Sequence, residues 1–137
     1  MSAPLKIEIV EDEEPIRRLY SLKLSLEGYN IQTASDGEEG LVVAERFHPD
    51  IILLDLKMPK MNGAEMLKKM RSMPWGSSPI VVILTNISRD EAPHNLRFLG
   101  VSKYIVKAHH TPSQIVDIIK KLTETIDIQN RSFREQS

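Results

Sequence analysis

Five short aliphatic runs alternate along the chain with segments long enough to form helices, and no other feature constrains the fold more. The runs are Leu5–Val10, Tyr29–Ala34, Ile51–Leu54, Ile80–Leu84 and Tyr104–Val106. The last three are apolar without alternation, which is typical of strands that are covered on both faces in a parallel sheet. Parallel neighbours need a crossover connection, and the segments between the runs are long enough to supply one.

Those connecting segments carry helical periodicity and helix-ending signals. Pro15 falls in the first turn of the first segment, and Gly28 stands where a helix-ending glycine belongs. Pro93 falls in the early turns of the fourth segment, so the sequence does not determine the first residue of this helix to better than one turn. Gly100 ends the helix. Capping residues are predicted at Asp36, Asn62, Ser88 and Thr111. The predicted apolar faces comprise Ile16, Leu19, Tyr20 and Leu26; Leu41, Ala44 and Phe47; Met66, Leu67 and Met70; Leu96 and Leu99; and Ile115, Ile118, Ile119, Leu122 and Ile126.

The predicted order is therefore βαβαβαβαβα, which favours a doubly wound α/β fold. Right-handed crossovers leave few arrangements, and the flavodoxin-like strand order 2-1-3-4-5 is the obvious choice for five parallel strands. A length of 137 residues suits one domain. We expect that domain over residues 1–126, followed by a polar tail over 127–137 that frays.

Composition excludes several kinds of function. The chain has 18 Lys and Arg against 19 Asp and Glu, so its charge gives no general reason to bind nucleic acid or an anionic membrane. It contains no cysteine, which removes disulfides, thiolate metal sites and cysteine nucleophiles. Ile80–Leu84 is too short to cross a bilayer, and the N-terminus lacks a signal-peptide core. We expect a cytoplasmic protein.

Polar residues follow four of the predicted strands at the edge where such sheets bind ligands. They are Glu11 and Asp12 after the first strand, Asp55 after the third, Thr85 after the fourth and Lys107 after the fifth. In the order 2-1-3-4-5 these strands are consecutive neighbours. We therefore expect the five side chains to share one edge of the sheet.

Three converging carboxylates repel one another unless a cation joins them, and a set of oxygen ligands suits Mg²⁺. Lys107 adds a compact cation of the kind that holds phosphate, and Thr85 adds a hydroxyl. A carboxylate can itself attack phosphorus to give an aspartyl phosphate. The residues predict an anion and metal site without deciding which aspartate is attacked.

The segment Ile51–Gly63, with the sequence IILLDLKMPKMNG, resembles the third strand and loop of receiver domains of two-component response regulators, the CheY-like family. Glu11-Asp12, Thr85 and Lys107 lie at that family's spacings from Asp55. The resemblance covers about residues 5–125 and suggests a single-domain form with no output domain in this chain. Each motif is weak alone, but the ordered set is highly specific.

The resemblance implies a role for each matching residue. Asp55 would be the phosphoacceptor, and Asp12, Asp55 and the backbone carbonyl of Lys57 would hold Mg²⁺, with Glu11 acting through a bound water. Thr85 and Lys107 would contact the phosphoryl group. Tyr104 would be the switch aromatic, whose ring swings inward when Thr85 moves toward the phosphate. The chain would be a signalling phosphoacceptor rather than an enzyme, although its own phosphorylation and dephosphorylation would be assisted by Mg²⁺.

The same resemblance implies partners. The phosphodonor would be a histidine kinase or a phosphotransfer protein, with small acyl phosphates as substitutes. The output surface would be the face of the fourth helix, fifth strand and fifth helix, roughly Ser88–Lys121. It would bind a downstream protein, a phosphorelay partner or a second copy of the chain, with no direct nucleic acid or membrane contact.

Some positions depart from the family pattern and keep alternatives open. Ala108 follows Lys107 where the family usually has a proline after a cis bond, and a cis bond before a non-proline residue costs about 2.5–4 kcal/mol. The bond therefore persists as strain or runs trans. Asn86 replaces a usually small residue. These two departures support a pseudo-receiver, an interaction module that is never phosphorylated.

A third class is a phosphohydrolase with an aspartate nucleophile. The haloacid-dehalogenase type usually has a second aspartate two residues after the first, where this chain has Lys57. The chain also leaves no room for a domain that would enclose a substrate. His109 and His110 suggest a metal site, but adjacent loop side chains usually point apart, so solvated histidines are the favoured interpretation.

Overall fold

The computed structural model describes the backbone of residues 3–136 and the side chains of residues 3–126. It contains one parallel five-stranded sheet with the order β2-β1-β3-β4-β5, which confirms the predicted fold class. The strands are β1 (Lys6–Val10), β2 (Asn30–Ala34), β3 (Ile51–Leu54), β4 (Ile80–Thr85) and β5 (Val101–Val106).

Helices cover both faces of this sheet, as the unbroken apolar runs predicted. They are α1 (Glu14–Leu26), α2 (Gly37–Phe47), α3 (Gly63–Arg71) and α4 (Pro112–Gln136). Successive strand residues point to opposite faces. Ile7 and Leu53 pack with α1 and α4, whereas Val10 and Leu54 pack with α2 and α3. Each strand therefore contributes side chains to two separate apolar layers.

Side-chain caps fix where three helices begin. The Asn62 side chain accepts a hydrogen bond from the Glu65 backbone, and Glu65 reaches back to the Asn62 backbone, forming a full capping box. Asp36 accepts a hydrogen bond from the backbone of Glu39, but the Glu39 carboxylate contacts Ser35 instead of closing the box. The hydroxyl of Thr111 accepts a hydrogen bond from the Gln114 backbone. These caps confirm three predicted helix starts.

The prediction of a fourth helix, over Ser88–Leu99, is wrong. In place of a helix over Ser88–Leu99, the chain forms two short 3₁₀ segments, Arg89–Glu91 and His94–Phe98. Ala92 between them is extended, with φ −68° and ψ 149°. A residue before proline is pushed toward extended backbone, and Pro93 has no N–H to continue a helix. The Ser88 and Glu91 spacing therefore resembled a capping box without producing a helix.

The predicted apolar face of α1 is also partly wrong. Tyr20 and Leu24 are buried, whereas Leu19 and Leu26 are 38% and 77% exposed. The helix has more leucines than its contact with the sheet can cover, so some leucine side chains remain exposed on its outer face.

The division of the chain at residue 126 remains a prediction, because the side chains of residues 127–137 lie outside the described part. In the part of the chain that the structure describes, no helix is both long and apolar enough to traverse a bilayer.

Candidate metal and phosphate site

The carboxyl ends of four neighbouring strands bring the predicted polar side chains together. Glu11 follows β1, Asp55 follows β3, Thr85 ends β4 and Lys107 follows β5. The register places Val10 beside Leu54, Leu54 beside Ile83, and Thr85 beside Val106. Parallel pairing thus gathers residues that are up to 96 positions apart in sequence.

Asp55 is the centre of this group and is only 8% exposed. The Thr85 hydroxyl donates a hydrogen bond of 2.7 Å to its Oδ1. The backbone N–H of Lys57 donates to the same oxygen at 3.3 Å, and the Lys107 ammonium lies 3.2 Å from Oδ2. Burial would raise the pKa of Asp55, but the bond with Glu11, the charge of Lys107 and the Thr85 and Lys57 bonds together hold it below its usual value.

Glu11 is buried beside Asp55 and forms an ion pair with Lys107. Burial raises the pKa of Glu11 to about 7, the neighbouring Asp55 adds to this rise, and Lys107 opposes it. Burial would lower the pKa of Lys107, but its bonds to Glu11 and Asp55 raise it, so the ammonium stays charged. Two buried carboxylates therefore share one fixed cation.

The donor set fits a hard divalent cation. One oxygen from each of Glu11, Asp12 and Asp55 lies within 4.8 Å of the others, and Asp12 is exposed at the open side. Oε2 of Glu11 is buried without a hydrogen-bond partner in the described part of the chain. Oxygen-only ligands and a spare carboxylate oxygen are what Mg²⁺ needs.

Arg17 positions the acidic pair and was not predicted from the sequence. Its guanidinium donates to the backbone carbonyl of Glu11 at 2.8 Å and to that of Asp12 at 3.4 Å. Arg17 lies in the first turns of α1. The helix that follows Glu11 and Asp12 therefore also holds the backbone of these two residues in place. An arginine a few residues after an acidic pair is too common a pattern to have predicted this contact.

Gly63 provides close packing under Asp55. A Cβ added at this position would lie 2.1 Å from the backbone oxygen of Asp55, which no real contact allows. The Gly63 N–H also donates to the carbonyl of Leu56 at 3.0 Å. The Asn-Gly pair of the sequence therefore caps α3 and brings it against the loop that carries Asp55.

Tyr104 is connected to the site through the β4 loop. Its hydroxyl donates to the carbonyl of Ile87 at 2.6 Å, and the Ile87 N–H donates to the Thr85 hydroxyl oxygen at 3.3 Å. Tyr104 is half-buried, so its ring lies at the surface of the domain. Thr85, Ile87 and Tyr104 therefore connect Asp55 to β5 through a continuous series of hydrogen bonds.

The departures noted in the sequence lie at the rim. Asn86, His109 and His110 are exposed, and neither histidine joins a cluster of metal-ligating groups in the described residues. The Lys107–Ala108 peptide bond is trans, like every other described peptide bond, and Lys107–His109 forms a 3₁₀ segment. Of the two alternatives for the bond between Lys107 and Ala108, a strained cis bond or a trans bond, the structure has the trans bond.

A buried aspartate that faces a lysine, a threonine hydroxyl and two further acids at the carboxyl edge of a 2-1-3-4-5 sheet defines a phosphoacceptor signalling domain. Residues 7–120 match the family model described as the response regulator receiver domain. The chain belongs to this family. It is thus a receiver domain of a two-component response regulator, a phosphoacceptor module rather than an ordinary enzyme.

Similar proteins agree in sequence and in structure. The response regulator ArlR of Staphylococcus aureus is 35% identical over 117 residues, which are 85% of this chain and 50% of ArlR. The chain spans about half the length of the curated relatives it matches. The chemotaxis protein CheY4 of Vibrio cholerae superposes with a TM-score of 0.79 at 28% identity and covers 87% of this chain and 98% of that one.

The response regulator TrrA of Thermotoga maritima, solved in complex with Mg²⁺ and BeF, has a TM-score of 0.73 at 30% identity, over 86% of this chain and 98% of TrrA. Glu11, Asp12 and Asp55 form the acidic cluster that is typical of the receiver Mg²⁺ site. The oxygen ligands of this cluster therefore suit Mg²⁺.

Proposed function

We propose that Asp55 accepts a phosphoryl group from a histidine kinase or a phosphotransfer protein, and that the phosphorylated domain changes its binding to an output partner. One observation carries this proposal: the Asp55 carboxylate is flanked by Lys107 at 3.2 Å and by the Thr85 hydroxyl at 2.7 Å. A lone structural aspartate has no need of both groups. The same pair offers a charge and a donor to an incoming phosphate.

In the proposed step, a carboxylate oxygen of Asp55 attacks the phosphorus of a phosphohistidine. An oxygen–phosphorus bond forms while the phosphorus–nitrogen bond breaks, and the imidazole leaves with that electron pair. Lys107 offsets the negative charge of the transferring group. Asp12, Asp55 and the carbonyl of Lys57 would hold Mg²⁺, with Glu11 assisting, and the bound ion supplies further positive charge.

The signal would leave the site through Thr85 and Tyr104. Phosphate adds about −1.5 to −2 charge at pH 7, and its oxygens compete for the Thr85 hydroxyl that now bonds Asp55. Because Ile87 bonds both Thr85 and Tyr104, movement of Thr85 biases the position of the tyrosine. The affected surface is the face over Ser88–Lys121. Its partner would be a downstream protein, a phosphorelay protein or a second copy, and the cytoplasm remains the expected location.

Incubation with Mg²⁺ and acetyl phosphate tests the proposal by intact-mass spectrometry. We expect an added phosphoryl group that Asp55→Asn abolishes, whereas the exposed Asp117→Asn on α4 retains it. Beryllofluoride with Mg²⁺ should shift the amide NMR signals of Asp55, Thr85 and Tyr104. A folded protein that binds Mg²⁺ but forms neither adduct would refute phosphoacceptance and leave the pseudo-receiver. Turnover of a phosphate ester that Asp55→Asn removes would instead indicate a phosphohydrolase.

A further inference from the structure

Residues 34–37, which connect β2 to α2, contact both of the loops that carry the candidate metal ligands. The carbonyl of Ala34 accepts a hydrogen bond of 3.0 Å from the N–H of Glu11. The N–H of Gly37 donates one of 3.0 Å to the carbonyl of Met61, which belongs to the loop between β3 and α3. β2 supplies none of the predicted site residues, yet the segment that follows it lies between two parts of the site.

Gly37 makes the closer of these two contacts. It is the first residue of α2, where a backbone N–H has no partner inside the helix. A Cβ at this position would lie 2.4 Å from the carbonyl oxygen of Met61 and 3.0 Å from its carbonyl carbon. Because alanine is the better helix former, the helix alone gives no reason for a glycine here. The reason is the backbone of the loop, which approaches α2 too closely for a side chain.

Lys60 lies at the centre of a strained turn beside this contact. Its φ of 64° is one that few residues other than glycine adopt, and the N–H of Met61 donates to the carbonyl of Pro59 at 2.7 Å. These features are those of a γ-turn with positive φ, which is rare and persists only where its surroundings hold it. Here Gly37 binds the Met61 carbonyl, and the carboxylate of Asp36 lies 3.7 Å from the Lys60 ammonium.

We propose that residues 34–37 hold the two loops of the metal site in place, and that Gly37 is a positioning residue for the loop that carries the Lys57 carbonyl. This proposal rests on the proposed function, which makes that carbonyl and Glu11 part of a Mg²⁺ site. The N–H of Lys57 donates to Asp55 at 3.3 Å, so the start of the same loop is tied to the phosphoacceptor. Groups that orient metal ligands without touching the metal typically contribute about 10–100-fold in affinity.

Gly40 provides a matched control, because Gly37 could otherwise serve only the packing of α2. A Cβ at Gly40 would lie 2.8 Å from Sδ of Met66 and 3.1 Å from a methyl group of Val10, and neither atom belongs to the loop. Gly40→Ala therefore disturbs the packing of α2 and leaves the contact with Met61 intact. Gly37→Ala and Gly40→Ala each add one methyl group and no charge, one turn apart on the same helix.

The test is an amide NMR titration with MgCl₂ alone, followed at Glu11 and Lys57, and circular dichroism verifies that each variant is folded. We expect Gly37→Ala to raise the Kd for Mg²⁺ about tenfold or more, and Gly40→Ala to change it less than about twofold. Equal changes in the two variants, or an unchanged Kd in folded Gly37→Ala, would overturn the proposal.

Amide hydrogen exchange of the unmodified chain gives a second measurement that does not depend on the folding of a variant. If the contact at Gly37 supports Mg²⁺ binding, Mg²⁺ stabilises the contact in return, because coupling is reciprocal. Saturating Mg²⁺ should therefore slow exchange of the Gly37 amide about tenfold. The Gly76 amide, which donates to Met73 at 3.0 Å in the turn before β4, should slow less than about twofold. An equal effect at both amides, or none at Gly37, contradicts the proposal.

Acetyl phosphate distinguishes this proposal from the proposed function. If the unmodified chain forms the Asp55 adduct while Gly37→Ala keeps its Mg²⁺ affinity, the positioning role is refuted and the phosphoacceptor is retained. If the unmodified chain forms no adduct while Gly37→Ala loses Mg²⁺ affinity and Gly40→Ala does not, the phosphoacceptor is refuted and the positioning role is retained.

Discussion

Replacing Glu8 should stabilise this domain, and the gain should depend on pH. Glu8 lies on β1 between Gln32 of β2 and Ile52 of β3, and it is 0% exposed. Neither of its carboxyl oxygens has a hydrogen-bond partner in the described residues. Burial raises the pKa of Glu8 to about 9, and the charge of the nearby Glu39 adds to the rise. The carboxyl group is therefore neutral in the folded protein at pH 7.

The sign of the effect follows from proton binding in the two states. The unfolded chain loses the Glu8 proton near the ordinary pKa of 4.5, whereas the folded chain keeps it until about 9. The folded state therefore binds more protons between these values, and stability falls as pH rises through that window. The loss is at most about 1.4 kcal/mol per pH unit, or roughly 3 kcal/mol by pH 7. The unpaired neutral carboxyl costs about 1–3 kcal/mol more.

Two variants separate these contributions. Glu8→Gln removes the titration and keeps a polar group, so it should stabilise by up to about 3 kcal/mol at pH 7 and by little at pH 4.5. Glu8→Leu should also recover the cost of the polar group. Glu45→Gln removes one charge from the exposed surface of α2 and is the control. Urea unfolding followed by circular dichroism at several pH values measures the difference. A Glu8→Gln gain that is constant between pH 5 and 8, or a loss in Glu8→Leu, would refute the reasoning.

Three further predictions concern backbone contacts. Arg71 donates to the carbonyls of Gly76, Pro79, Leu99 and Gly100, so Arg71→Met should lower the free energy of unfolding by about 2–4 kcal/mol; a change below 1 kcal/mol would contradict a structural role. Gly63→Ala forces a Cβ against the Asp55 backbone and should cost about 1–3 kcal/mol by urea unfolding and slow phosphorylation by acetyl phosphate. Gly28→Ala, which is strained by a φ of +95° but lies before β2 at the opposite edge of the sheet, should lower stability and leave phosphorylation unchanged. Pro93→Ala should increase the far-ultraviolet helical signal by joining the two 3₁₀ segments, and an unchanged spectrum would show that Pro93 does not cause the break.

The parallel sheet could be predicted because its cause is local. Runs such as Ile51–Leu54 and Ile80–Leu84 are apolar at every position, and only burial on both faces makes such a strand favourable. The carboxyl-edge site followed from the same step, since the strand order determines which strand ends are neighbours. Asp55, Thr85 and Lys107 therefore required no contact information beyond topology.

Features that depend on tertiary geometry could not be predicted in this way. The periodicity of Ser88–Leu99 favoured a helix, but the conformation of a single pair, Ala92-Pro93, overrode it. Arg71 and Arg17 act on backbone carbonyls, which have no sequence signature. Glu8 was visible as one acid inside the apolar run Leu5–Val10, yet its sequence position alone did not show that its carboxyl group is unpaired.

The break in the predicted fourth helix and the contacts of Tyr104 with Arg89 both follow from the local backbone conformation at Ala92-Pro93. A regular helix over Ser88–Leu99 would place different side chains over β5, whereas the 3₁₀ segment at Arg89 brings a guanidinium onto Tyr104. Tyr104 is therefore restrained from both sides, by Ile87 through its hydroxyl and by Arg89 through its carbonyl and ring. Any movement of the tyrosine must break or carry both contacts. If Tyr104 is the switch residue that we propose, the free energy of switching includes its contacts with Arg89, and Pro93 influences the switch by setting the conformation of that segment.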